Sequence, residues 1–275
     1  MFPSAIVSAS WLADHLDEVR VVDVRWYLDG RSGRAAFDSG HLPGAVFADL
    51  DSDLSAPPSA VGGRHPLPDP TAFAAAMSQL GIGDATPVVA YDDAGGAIAA
   101  RLWWMLHVLG HEVAVLDGGI DAWPGELEIT SAEHDEAVFT PMPWPRERFR
   151  TADEVADGAY DVLIDARTPD RYRGENTSVD PRPGHVPGAV NAPFPGNLDN
   201  GSLRGADELA GRFASIGVGA GDAVVAYCGS GVTACHDLLA LEVAGHGPTT
   251  ALFVGSSSAW AGDPERPLVT GDDPG

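Results

Sequence analysis

The sequence predicts an α/β protein of two tandem domains related by duplication, each a mainly parallel sheet flanked by helices. Three observations lead there. Four segments recur in the same order: "VVDVR" (21–25) as "LIDAR" (163–167), "GHLPGAV" (40–46) as "GHVPGAV" (184–190), "GIGDATPVVAYD" (81–92) as "GVGAGDAVVAYC" (217–228), and more loosely "DGGIDAW" (117–123) as "VGSSSAW" (254–260). Self-similarity of this kind reports a repeated structural unit. Short β-branched runs alternate with helical patterns, the signature of parallel strands joined by crossover helices. A chain of 275 residues with 44% hydrophobic content suffices for two cores.

Each half reads in one order. A short apolar strand ends in Asp and Arg, at 21–25 and 163–167. A turn, a second strand and a helix follow. Next come the strand "VVAY", at 88–91 and 224–227, and a helix behind it. The expected division is an N-terminal domain over 1–125, a linker over 126–148 and a C-terminal domain over 149–275. The linker is acidic and then spaced by Pro141, Pro143 and Pro145, which favours an extended connector over a helix.

Forty acidic residues against 16 basic ones give a net charge of -24, which repels nucleic acid and anionic membrane surfaces. An anionic ligand therefore needs a local positive pocket. All 16 basic residues are arginine, so lysine Schiff bases and the lysine of a phosphate-binding P-loop are excluded. The start "MFPSAIVSASWLADH" lacks the basic and long apolar regions of a secretory signal, and no apolar run is long enough to span a bilayer; a cytoplasmic protein with no membrane partner is expected. The two cysteines, Cys228 and Cys235, are too few for a disulfide framework or a four-ligand zinc site. No metal or organic cofactor is expected.

The stretch "YCGSGVTACH" (227–236) places Cys228 directly after a strand, where open parallel sheets bind their ligands. Free cysteine is usually a buried, inert side chain. Here Gly229 and Gly231 let the chain curl with its amides inward, while Thr233 begins a helix. A sulfur held in that ring at the positive end of a helix is expected to be a reactive thiolate. The first repeat carries Asp92 at this position, which cannot transfer sulfur, so that repeat is expected to be chemically silent.

The duplication, the two "GHxPGA" motifs, the strand-Cys-loop-helix and "DPERP" (263–267) together resemble the tandem rhodanese-domain sulfurtransferases, over nearly the whole chain. Within that family "CGSGVTA" (228–234) resembles the 3-mercaptopyruvate type, whereas thiosulfate sulfurtransferases carry Cys-Arg-Lys at the start of the loop. The resemblance implies a Cys228 persulfide that moves sulfane sulfur from 3-mercaptopyruvate to a thiol or cyanide and releases pyruvate. It also implies Arg173 and Arg182 as the grip on the substrate carboxylate, and Ser230, His65 and Asp51 as a proton relay. Gly229, Gly231, Val232 and Thr233 would line the cradle of the transferred sulfur. The loop itself supplies no cation beside Cys228, as suits a monocarboxylate better than the thiosulfate dianion.

His41 and His185 recur in both halves, including the silent one, and are read as structural, as are Arg167 and Arg171. Trp103 and Trp104 read as helix packing and Cys235 as a core side chain. One departure stands out: relatives read "GSWxEW" where this chain has "GSSSAW" (255–260). The alternatives are a thiosulfate sulfurtransferase and a sulfur-carrier module without turnover. A cysteine phosphatase or arsenate reductase needs Cys-x5-Arg, and the sixth residue after Cys228 is Ala234. The expected partners are a small anionic sulfur donor and a thiol acceptor such as thioredoxin or a small thiol, with the chain a monomer.

Overall fold

The structure, a computed structural model, describes residues 2–130, 134, 135 and 137–275. Part of the proline-spaced connector, 131–133 and 136, thus lies outside the described residues. The chain divides into two units: 1–56, 68–144 and 200–203 form the first, and 57–67, 145–199 and 204–275 the second.

Among the described residues the main sheet of the first unit has five strands, β1 (Ile6–Val7), β2 (Arg20–Asp23), β3 (Val46–Phe47), β4 (Val88–Tyr91) and β5 (Val113–Leu116). They lie in the order β1-β5-β4-β2-β3, and every pair is parallel. The second unit repeats this with β6 (Phe149–Arg150), β7 (Val162–Asp165), β8 (Ala189–Asn191), β9 (Val224–Tyr227) and β10 (Thr250–Phe253), in the order β6-β10-β9-β7-β8, again all parallel. The predicted fold class therefore holds. In both sheets the central "VVAY" strand is buried along its length, as in a sheet covered on both faces.

Local chemistry starts and stops the helices. In the first unit α1 (Ala9–Asp14) is capped by Ser8 and α2 (Gly33–Ser39) by Ser32, whose hydroxyls accept the amides of Trp11 and Ala35. The helix α3 (Pro70–Gln79) opens with Asp69 as cap and Pro70 in its first turn, and α4 (Ala99–Val108) is apolar nearly all round and buried from Ala99 to Leu106. Trp103 and Trp104 sit in that buried stretch, as packing requires. In the second unit α5 (Ala152–Ala156) carries a capping box of Thr151 and Glu154. The remaining helices are α6 (Pro169–Tyr172), α7 (Ala206–Ser215), α8 (Ala234–Val243) and α9 (Ser256–Trp260).

Matching bonds show what the recurring motifs do. Arg25 is chelated by Asp23 and donates to Gly40 O at 2.7 Å; Arg167 is chelated by Asp165 and donates to Gly184 O at 2.9 Å. Each "GHxPGA" motif is a turn with proline second and glycine third. Gly44 and Gly188 take φ of +69° and +81° there, which glycine adopts without steric cost. The motif histidines stack on Phe37 and Tyr172 and bond carbonyl oxygens through Nδ1. Both are fully buried, which is a structural use.

Asp92, at the end of β4, shows how the loop of the first repeat is held. One carboxylate oxygen accepts the amides of Ala94 and Gly96, both at 2.8 Å, and the other those of Ile98 and Ala99 at 2.7 and 2.9 Å. The ring of amides before α4 is thus filled by the chain's own anion.

We predict that Asp92→Ala, which strands the buried amides of Gly96, Ile98 and Ala99, lowers the unfolding free energy by about 3 kcal/mol in urea titration. A second prediction concerns Asp237 on α8. It is fully buried, and burial raises its pKa to about 7 despite the 2.6 Å bond from Asn197 and the nearby Arg212 charge. Because the folded pKa lies above the unfolded one, this group makes the protein lose stability as pH rises from about 4 to 7. Asp237→Asn should flatten that fall and be more stable than the parent at pH 8 by at least about 1 kcal/mol.

Candidate active site

Cys228 sits at the carboxyl end of β9, 2% exposed, where Asp92 stands in the first unit. Its backbone is gripped by the serine run that opens α9. Ser256 Oγ accepts the Cys228 amide at 3.2 Å and donates to Phe253 O at 2.9 Å; Cys228 O accepts the Ser257 amide at 3.0 Å, and Gly229 O that of Ser258 at 3.0 Å. Ser256 holds a φ of +50°, rare for a residue with a side chain. The "GSSSAW" segment is therefore the clamp on the cysteine loop, acting through the Ser256 hydroxyl and two backbone amides. Ile120 N bonds to Asp92 O at 2.9 Å in the same way in the first unit.

Beyond Cys228 the loop turns on Gly231, with φ +76°, where a Cβ would lie 2.6 Å from Val254 O. Val232 and Thr233 lead into α8, their carbonyl oxygens accepting the amides of Cys235 and His236. Thr233 stands at the cap position without a side-chain cap bond. Cys235 is fully buried and its thiol donates to Gly231 O at 3.4 Å, which fits the core role.

Residues 57–67 come from the N-terminal half of the chain yet belong to the second unit. They are pinned by the Arg64 amide, which donates to Ser258 Oγ at 3.1 Å, and by Gly63, packed against Ser258 and Gly255. This brings His65 to the loop: its Nδ1 shares a 2.8 Å hydrogen bond with Ser230 Oγ, with both residues buried. Asp51, the third residue of the expected relay, lies in the first unit, where its carboxylate accepts Trp26 Nε1 at 3.1 Å.

The arginines of this region fall into two groups. Arg173 is chelated by the exposed Glu175 at 2.9 and 2.8 Å. Arg182 donates to three carbonyl oxygens, of Ala261, Asp263 and Arg266, and so fastens the segment after α9. The guanidinium groups beside the loop are those of Arg171 and Arg64. A Cβ built on Gly229 would lie 2.7 Å from Nη2 of each. Arg171 is aimed by Asp180, which accepts from its Nε and Nη2 at 2.8 and 2.7 Å and is also paired with the buried Arg167. Burial alone would raise the Asp180 pKa, but the Arg171 hydrogen bond and the two guanidinium charges hold it below the ordinary range. The sequence carried one sign of Arg64, its place beside His65 in "GGRHPLP". Arg171 was hidden because it lies in α6 two residues from Arg173, and nothing in the sequence tells the two apart.

Among the described residues no cluster of three or more His, Cys, Asp or Glu side chains is suited to a metal, and no helix is long and apolar enough to cross a membrane.

A Rhodanese-like domain model matches residues 8–126 and again 150–263. A Pseudomonas aeruginosa protein provisionally named 3-mercaptopyruvate sulfurtransferase is 42% identical, over 99% of this chain and all of its own length. A Mycobacterium tuberculosis protein provisionally named thiosulfate sulfurtransferase SseB is 39% identical over 97% of each chain. Among solved structures, SseA from Escherichia coli, described as a 3-mercaptopyruvate sulfotransferase of the rhodanese fold, superposes with a TM-score of 0.80 at 33% identity, covering 92% of this chain and 98% of that one. The chain belongs to the tandem rhodanese-domain sulfurtransferases, and its enzymatic class is sulfur transfer.

The local geometry predicts that Gly231→Ala fails at its loop. The added methyl group meets Val254 O in a left-handed backbone conformation, so stability should fall by about 2 kcal/mol and sulfur transfer by at least tenfold, read by thermal unfolding and steady-state assay.

Proposed function

We propose that the protein moves sulfane sulfur from 3-mercaptopyruvate, through a persulfide on Cys228, to a thiol acceptor or cyanide. The observation that carries this reading is the buried His65–Ser230 hydrogen bond two residues beyond a cysteine at a strand's carboxyl end. The Cys228 thiolate attacks the donor sulfur, so that a sulfur–sulfur bond forms and the donor carbon–sulfur bond breaks. The electron pair leaves on pyruvate enolate, which takes a proton to give pyruvate. Ser230 and His65 are assigned the transfer of that proton, a role their 2.8 Å hydrogen bond supports. An acceptor thiolate then attacks the outer sulfur, takes it as a persulfide and releases the Cys228 thiolate.

Amides of residues 229–233 are assigned to cradle the persulfide anion, as the first repeat's amides hold Asp92. Arg171, oriented by Asp180, is assigned the donor carboxylate. It joins Arg173 and Arg182, which enter on the family resemblance and whose guanidinium groups bond Glu175 and three carbonyl oxygens. Asp51 enters as a relay member on the family resemblance. The acceptor is assigned to the cytoplasmic thiols, thioredoxin or a small thiol, and the protein is taken to act as a monomer.

A second reading, thiosulfate as donor, is favoured by one observation: two guanidinium groups lie at Gly229 although the loop has no cation of its own. Side-by-side kcat/KM values for the two donors, with Cys228→Ser as blank, separate the readings, and 3-mercaptopyruvate should lead. Mass spectrometry of substrate-treated protein should show one added sulfur on Cys228; an unchanged mass overturns the mechanism. A persulfide that forms but never discharges would identify a carrier instead. His65→Ala and Ser230→Ala should each lower kcat with mercaptopyruvate by about 100-fold, and Asp51→Asn by less.

A further inference from the structure

Three guanidinium groups crowd the second unit's site, and two carboxylates answer them. Asp165 and Asp180 neutralise Arg167, and Asp180 also takes Arg171. Among the described residues Arg64 has no carboxylate within ion-pair distance. Its Nη1 reaches only Val179 O, at 3.4 Å, and its Nε is buried with no partner. Its Nη2 comes to the same point above Gly229 as the Nη2 of Arg171, a space that exists because residue 229 has no side chain.

We propose that Arg64 is a specificity residue of this site, forming with Arg171 a two-guanidinium seat beside Cys228 for the charged end of the sulfur donor, so that its side chain raises the affinity for a dianion more than for a monoanion and narrows the lead of mercaptopyruvate over thiosulfate. The proposal rests on the sulfurtransferase reading for the nature of the donor and goes beyond it in naming what ranks donors. Two like charges pointed at one spot repel each other, and an anion entering between them removes that repulsion. The gain grows with the anion's charge and is larger in a half-buried site than in water. Burial and the neighbouring Arg171 both push the Arg64 pKa down, while Asp180 and Cys228 act in the opposite sense. In a chain of net charge -24, such a seat gives a small anion a favourable place to stop.

A purely structural role for this side chain is poorly supported by its bonds. The 57–67 segment is held by the Arg64 backbone amide and by Gly63, and these survive a change of side chain. Arg64→Met and Arg64→Lys should therefore fold, with thermal midpoints close to the parent.

The test has two readouts. In a Cys228→Ser background, which cannot turn over, calorimetric titration measures binding of thiosulfate and of pyruvate at fixed low ionic strength. Arg64→Met should weaken thiosulfate binding at least tenfold and pyruvate binding about threefold, whereas Arg64→Lys should hold both within threefold. With Cys228 intact, Arg64→Met should lower the ratio of thiosulfate to mercaptopyruvate kcat/KM at least threefold. Unchanged binding, or equal loss for both anions, overturns the proposal even when sulfur transfer is intact. If the parent moves no sulfur from either donor while anion binding still depends on Arg64, the functional reading falls and the anion seat stands.

Discussion

Asp180 is the point on which the site turns. Its carboxylate lies between Arg167, which the end of β7 holds in place, and Arg171, which reaches toward the cysteine loop; it also accepts a hydrogen bond from Ser257 at 3.3 Å. Burying a carboxylate is costly unless it is paired, and removing one member of a buried pair is costlier still. The network is satisfied only with all its members present. It therefore ties a strand end, the long loop before the "GHVPGA" turn and the start of α9 into one arrangement, and the direction of Arg171 follows.

The serine run at 256–258 plays a matching part on the backbone. Two of its amides and one hydroxyl fix the first two residues of the cysteine loop, and Ser258 also receives the amide of Arg64. One short segment thus sets the positions of the nucleophile and of the residues that stand over it. Where the family pattern has an aromatic ring and an acid, this chain has Ser257, whose hydroxyl bonds Arg167 and Asp180, and Ala259.

Much of the fold was legible because its rules are local. Asp and Arg at strand ends, the Pro-Gly turn and the "VVAY" strands each repeat a spacing that specifies one backbone shape, and the repetition confirmed each reading against the other copy. The short edge strands β1 and β6 escaped, since two residues of strand leave no periodic pattern. At the site, Cys228 and its glycines were readable from neighbours in sequence. The arginines were not. Arg64 is 165 positions from Gly229, and an arginine's reach lets any of several along a loop arrive at one place, so only the pairing of Asp180 and the docking of 57–67 decide which do.

The two loops after the central strands also differ in what occupies them. In the first repeat the occupant is Asp92, covalently part of the loop and present at every moment. In the second the corresponding position holds the buried Cys228, whose sulfur, in the mechanism proposed above, gains and loses a bond with each transfer. Duplication has separated permanence from reactivity: one copy keeps its ring of amides filled from birth, and the other leaves its ring to a visitor. A loop of the first kind has nothing to exchange with the outside.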